Sequence, residues 1–191
     1  MPTVRDALMD AAFAALGERP WELVRMTEVA AAAGVSRQTL YNEFSSKDGL
    51  GRALARREAE AFLAGLDSAL TSARCSGGDA GECFAAAARW TLRSARRSPL
   101  VYAALTGPGP AGSPVPGAGL VAALHARTVA ALVNGCPRLR PEDVGWACEA
   151  ALRLTLSYVI APGADDEESC GRIAQLIRSL LSWPAGRPAR G

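Results

Sequence analysis

Between positions 36 and 42 the chain reads Ser-Arg-Gln-Thr-Leu-Tyr-Asn, six hydrogen-bonding side chains around one leucine. Arg37 carries a guanidinium fork, Gln38 and Asn42 carry carboxamides, and Thr39 and Tyr41 carry hydroxyls. Such groups donate to phosphate oxygens, and on one helix face they can read the edges of bases. They are poorly suited to catalysis, and nothing elsewhere supplies it. There is no glycine-rich phosphate loop and no nucleophile–base motif. The one histidine, His125, and the five cysteines, none in a C-x-x-C pair, have no zinc-site spacing. Expected catalytic residues, metals and cofactors are therefore none.

The elements that must hold this segment are legible around it. Val4, Leu8, Ala11, Ala12, Ala15 and Leu16 recur at helical spacing, and Gly17 is placed to end that helix. Trp21, in the connector, reads as a plug for a small core. Thr27 can cap a second helix carrying Val29, Ala30 and Ala33, and Gly34 stops it. Ser36 can cap a third helix to about Phe44, with Leu40 and Phe44 inward. Two short helices joined by a glycine-bearing turn have helix-turn-helix spacing. The same spacing is compatible with a capped hairpin inside an ordinary helical bundle.

Beyond Ser46 the pattern stays helical. A long fourth helix runs from about Lys47 to Ser72. Asp79 and Glu82 have capping-box spacing for a fifth, and Ser98-Pro99 opens a short sixth. The stretch 107–119 is nearly all Gly, Pro, Ala and Ser and reads as a mobile loop. Further helices span about 119–134, 142–160 and 166–183. No strand alternation survives. The expected fold is all-α with about nine helices, a three-helix head joined by a long helix to a C-terminal bundle. The expected division is 1–46, then 47–184, with a disordered tail at 185–191.

Composition adds exclusions. No apolar run approaches the roughly 20 residues a membrane span needs, and Asp6, Asp10 and Glu18 interrupt any signal-like start. A cytoplasmic location is the default, with the cysteines as free thiols. Net charge is only +2, and residues 1–60 hold eight Lys/Arg against nine Asp/Glu. Charge alone does not announce a nucleic-acid partner.

The run Met26–Leu50, MTEVAAAAGVSRQTLYNEFSSKDGL, closely resembles the DNA-binding signature of the tetracycline-repressor (TetR) family of bacterial regulators. The match includes the threonine cap, Ala-Gly-Val-Ser, T-[LV]-Y-x-x-F and S-K-[DE]-x-L, and covers roughly residues 4–55. The resemblance implies a homodimeric transcriptional regulator, a repressor released from an inverted-repeat DNA operator by a small-molecule effector. It implies that Thr27 touches a phosphate, that Ser36, Arg37, Gln38 and Thr39 enter the major groove, that Tyr41 and Asn42 contact backbone or base, and that Lys47 holds a phosphate. Glu43 departs from the pattern, standing where many members have histidine. A carboxylate facing DNA would be repulsive; the alternative is that it points sideways and pairs with an arginine, and whether residue 43 contacts or avoids DNA stays open at this point.

In proteins of this family the last two long helices pair with their copies in a second subunit. Here their stripes, Leu152, Leu156, Val159, Ile173, Leu176, Ile177, Leu180 and Leu181, exceed what a thin bundle's own core needs. A palindromic operator also calls for two-fold symmetry. The family's bundle usually encloses a ligand pocket, for which Trp90, Tyr102 and His125 are the candidate lining residues. Two other readings remain at this point: a helical small-molecule enzyme, and a protein-interaction module that does not bind DNA.

Overall fold

Alanine-rich sequence with few β-branched residues favours helix, and the computed structural model, which describes residues 3–107 and 119–182, is helical throughout. Nine α-helices and one 3₁₀ turn follow in order among the described residues: α1 Val4–Glu18, the 3₁₀ turn Trp21–Leu23, α2 Met26–Ala32, α3 Arg37–Phe44, α4 Lys47–Cys75, α5 Ala80–Arg97, α6 Pro99–Thr106, α7 Gly119–Gly135, α8 Pro141–Ile160 and α9 Asp166–Ser182. No strand occurs among them. The expected tail at 185–191 and most of the Gly/Pro-rich stretch 107–119 lie outside the described residues.

Local signals set most of the helix ends. Thr3 accepts from the Asp6 amide while Asp6 accepts from the Thr3 amide, a reciprocal box that opens α1. Asp79 and Glu82 form the expected box before α5, at 2.8 and 2.9 Å. Ser98 caps α6 ahead of Pro99. Two ends differ from expectation. Gly17 does not stop α1, which continues one residue further and closes with the Arg19 amide on the Ala15 carbonyl. Thr27 is not the cap of α2. That helix begins at Met26 behind Arg25, which makes no side-chain cap bond, so Thr27 lies inside the first turn. Met26 is buried, and seating it in the core places the helix start two residues earlier.

The chain divides into two compact units, Met1–Ala61 with Ala95–Leu120, and Phe62–Ser94 with Val121–Gly191. The first has its own core. Leu8 and Ala12 of α1, Val29 and Ala30 of α2, Leu40 and Phe44 of α3, and Leu50 and Leu54 of α4 close around Trp21, and Leu100 of α6 joins them. Each large apolar side chain buried here contributes roughly 1.5–3 kcal/mol relative to exposure. The connector's tryptophan is the expected plug, 4 % exposed.

In the second unit α8 packs along α9. Val144, Ala147, Cys148 and Ala151 of α8 and Cys170, Ile173 and Ile177 of α9 are buried. Arg178 clasps Asp79 at 2.7 Å, joining the end of α9 to the start of α5. Trp90 on α5 lies against Gly65 of α4, where a methyl group would fall 2.0 Å from the indole ring. The indole N–H donates to the Phe62 carbonyl at 2.9 Å. All five cysteines are free thiols.

Candidate nucleic-acid interface

The α2–α3 corner is built by its turn. Gly34 adopts φ +69°, a left-handed conformation that costs a side-chain-bearing residue about 1–2 kcal/mol. The Gly34 and Val35 amides then bond back to the Ala31 and Ala30 carbonyls, at 3.1 and 3.0 Å. Ser36 follows as the cap of α3 and accepts from the Thr39 amide at 3.0 Å. Ala30, 2 % exposed, and Leu40, fully buried, fill the angle between the helices. A second close approach fixes the far end of α3. A Cβ on Gly49 would meet the Phe44 carbonyl oxygen at 2.0 Å, so only glycine lets α4 start so near.

What this corner leaves outside is polar. Ser36, Arg37, Gln38 and Asn42 are exposed, and Thr39 and Tyr41 are half-buried. Their side chains pair along the helix. Arg37 lies over the Tyr41 ring at 5.3 Å, and the Gln38 amide donates to Asn42 at 2.9 Å. The Ser36 and Thr39 hydroxyls are 2.8 Å apart. These pairs hold the donors in two columns on one face, which lowers the ordering cost of a contact. No acidic residue sits in the first turn of α3.

Glu43 does not project toward this face alone. Arg5 donates to the Glu43 carbonyl at 3.1 Å, lies 3.7 Å from its carboxylate and covers the Phe44 ring at 4.4 Å. Pairing with an arginine, one of the two alternatives for Glu43, is therefore present, through a residue to which no sequence motif pointed. Arg5 is 38 positions away and carries no local signal. Lys47 is engaged too. Its ammonium donates to the Glu22 carbonyl at 3.0 Å and sits 5.5 Å from the Trp21 ring centre. An ammonium has three donors, so this anchor leaves others for a phosphate. Thr27 is exposed in the first turn of α2.

Elsewhere the expected site residues separate into two groups. Ile173 and Ile177 are fully buried within the single chain, and Leu152 and Val159 are 6 % and 7 % exposed. The two isoleucines therefore belong to the chain's own core and not to a surface. Leu156, Leu176, Leu180 and Leu181 remain half-buried. Two residues missing from that stripe are the most open: Trp146 at 61 % and Ile160 at 60 %. Their spacing of 14 residues, two heptads, puts both on one face of α8 and was the available signal.

Among the three candidate ligand residues, Trp90 is held by Phe62 as described and His125 Nε2 lies 3.3 Å from the Gly145 carbonyl. Tyr102 belongs to the first unit and is 41 % exposed. Two cavities of the second unit, of about 330 and about 490 Å³, are lined by none of the three.

A capped recognition helix, seated by a left-handed turn on a three-helix core and showing a row of polar donors on one face, defines a helix-turn-helix DNA-binding module. Residues 8–54 match the family described as bacterial regulatory proteins, tetR family, and residues 79–179 match the bacterial tetracyclin repressor C-terminal domain. The chain belongs to the TetR family of transcriptional regulators. It is 31 % identical over 181 residues to the HTH-type transcriptional regulator AlkX of Mycobacterium tuberculosis, covering 91 % of this chain and 83 % of that one. Among solved structures, the TetR-family repressor AlkX from Dietzia sp. strain DQ12-45-1b, implicated in biodegradation of n-alkanes, superposes with a TM-score of 0.58 at 26 % identity over 92 % of this chain and 96 % of that one. FadR of Thermus thermophilus, in complex with lauroyl-CoA, shares the fold with a TM-score of 0.58 at 21 % identity, covering 98 % and 99 %.

Proposed function

We propose that this regulator is a homodimeric repressor that leaves an inverted-repeat operator when a small aliphatic molecule binds its second unit. The observation that carries the DNA part is the exposed donor row of α3. Ser36, Arg37, Gln38 and Thr39 enter the major groove, Tyr41 and Asn42 contact backbone or base, and Thr27 and Lys47 hold flanking phosphates. The functional division proposed is 1–46 for DNA and 47–184 for effector and dimer. It acts in the cytoplasm and is not an enzyme. In support, the curated relative is named a transcriptional regulator, and no helix among the described residues is long and apolar enough to cross a membrane.

The dimer is proposed through α8 and α9, where Trp146 and Ile160 stand open and Leu156, Leu176 and Leu180 are half-buried. Tryptophan is enriched at interface centres, which supports this face as the contact. An aliphatic effector is supported by the likeness to the Dietzia repressor, and Trp90 and His125 of the second unit are retained as its proposed contacts, whereas Tyr102 lies in the first unit and is not among them. α4 runs from one unit into the other, as α5 and α7 also do, and it alone of the three starts with a proposed DNA contact, Lys47, so it is the proposed carrier of the signal.

Linkage fixes the test. An effector that weakens operator binding 100-fold has a coupling of about 2.7 kcal/mol, and operator must weaken effector binding by the same factor. A thermal-shift screen of fatty acids, alkanols and acyl thioesters supplies the ligand. Its affinity is then titrated with and without saturating operator. Unequal affinities with matching factors support the proposal, and equal affinities contradict it.

A further inference from the structure

Three of the five cysteines, far apart in sequence, meet at one cavity. Cys75 at the end of α4, Cys83 in the first turn of α5 and Cys136 just past α7 all line a hollow of about 330 Å³, with Arg74, Gly78, Leu132 and Gly135 among the remaining walls. Their exposures differ: Cys75 is open, Cys136 is half-buried and Cys83 is buried at 3 %. Cys136 also borders a second cleft of about 490 Å³, so its neighbourhood is reached from two sides. Neither the DNA interface nor the proposed effector contacts use these thiols.

We propose that Cys136 and Cys83 form a thiol reaction site for hydroperoxides, in which Cys136 is oxidised and Cys83 closes a disulfide onto it.

The arrangement fits the division of labour such a reaction needs. The attacking sulfur must be reachable and must ionise, because the thiolate is the nucleophile. Cys136 is reachable. The end of α7 carries partial negative charge that opposes a thiolate. Arg74 sits against it: a methyl group on Gly135 would lie 3.2 Å from the Arg74 Nε. The second sulfur must stay unreacted until the first is oxidised. Cys83 is covered, and its thiol donates weakly to the Gly78 carbonyl at 3.7 Å. Burial pushes its pKa up, and the neighbouring Cys136 adds to that shift. Both residues line the same hollow, which places the two thiols on the walls of one cavity.

The steps balance without another reagent. The Cys136 thiolate attacks the distal oxygen of the hydroperoxide. The O–O bond breaks, the sulfur becomes a sulfenic acid, and the departing alkoxide takes a proton to leave as an alcohol, or as water from hydrogen peroxide. The Cys83 sulfur then attacks the sulfenic sulfur. The S–O bond breaks, the Cys83 proton and the hydroxyl leave as water, and the S–S bond forms. Two thiols lose two electrons, and one hydroperoxide is reduced.

The test uses the full-length reduced protein and hydrogen peroxide, with non-reducing peptide mapping by mass spectrometry. Wild type and Cys75→Ser should each yield a Cys83–Cys136 linked peptide and lose two hydrogen masses. Cys83→Ser should instead accumulate a sulfenic acid on Cys136 that dimedone traps. Cys136→Ser should lose the cross-link and consume peroxide at least about tenfold more slowly. Cys148 and Cys170, pushed up by burial to about 12 and about 11, serve as unreactive internal references. The proposal is overturned if wild type gives no such linked peptide, if Cys75 alone is modified, or if Cys136→Ser reacts as fast as wild type. The wild-type arms decide the matter even if a serine variant does not fold.

Discussion

Helices α3 and α8 each keep one face uncovered within the single chain, and the two faces differ in composition. On α3 the open side chains are Arg37, Gln38, Asn42 and Glu43, all polar, and Leu40 among them is fully buried. On α8 the open face runs through Glu142, Trp146, Glu149, Arg153, Ser157 and Ile160, so two large apolar groups, both about three-fifths exposed, bracket a polar stretch in which Arg153 pairs with Glu149. An uncovered polar row needs a partner that supplies acceptors, and large exposed apolar groups are best covered by a partner that excludes water. The difference teaches that an exposed helix face is informative only with its composition. The first is the face proposed to enter the groove of a duplex, and the second is the face proposed to meet a copy of itself.

The comparison breaks most severely if the polar row depends on nothing beneath it. Leu40→Ala removes a fully buried side chain under that row and should cost about 2–5 kcal/mol of stability. Calorimetry should show the early loss of the first unit, with DNA binding lost alongside. A variant that binds DNA with unchanged melting would separate the row from its core.

Next in size is the apolar face. Trp146→Glu combined with Ile160→Glu should raise the dimer dissociation constant by at least about 100-fold, roughly 2.7 kcal/mol. Sedimentation should give monomers of unchanged helicity. A wild-type chain that is monomeric at micromolar concentration would remove the face's proposed partner.

The turn sharpens the polar side. Gly34 has open space around its missing Cβ, so Gly34→Ala meets only the backbone penalty of φ +69°. The loss should be about 1–2 kcal/mol, read from the denaturation midpoint. A loss well beyond that would mean that the turn packs more tightly than its geometry indicates.

The smallest effect concerns the second unit's clasp. Hydrogen bonding from Arg178 holds the Asp79 carboxyl below the usual carboxylate range. A depressed carboxyl stabilises the fold above its unfolded pKa of about 3.9 and loses that contribution as pH falls through its lower folded value. The pair is half exposed, so the contribution is at most about 1 kcal/mol. Urea midpoints should fall below about pH 4, and Asp79→Asn should flatten that fall while keeping the α5 cap. An unchanged slope would show the pair to be inert.

How much of this was legible from sequence depended on the distance over which each signal acts. The Ser36 cap, the Asp79–Glu82 box, the Ser98-Pro99 start and the Gly34 turn involve residues within a few positions of one another, and the sequence showed all of them. The Arg5–Glu43 pairing and the Lys47 anchor on the Glu22 carbonyl cross 38 and 25 positions, and no local pattern encodes them. The start of α2 was misplaced because burial of Met26 outweighed the capping preference of Thr27. On α9, Ile173 and Ile177 differ from Leu176 and Leu180 only by angle around one helix. Periodicity finds such a stripe, but it does not tell which edge a neighbouring helix covers.

The central claim is that the α3 donor row reads DNA as part of a two-fold dimer. The most direct measurement is selection of bound duplexes from a random pool, run in parallel for wild type and Arg37→Ala. The account predicts an inverted repeat whose half-site centres lie about one or more helical turns apart, roughly 34 Å each. It predicts that Arg37→Ala loses about 1–3 kcal/mol and relaxes one position in each half-site. Enrichment of no sequence, or of the same repeat with equal affinity by both proteins, would contradict it.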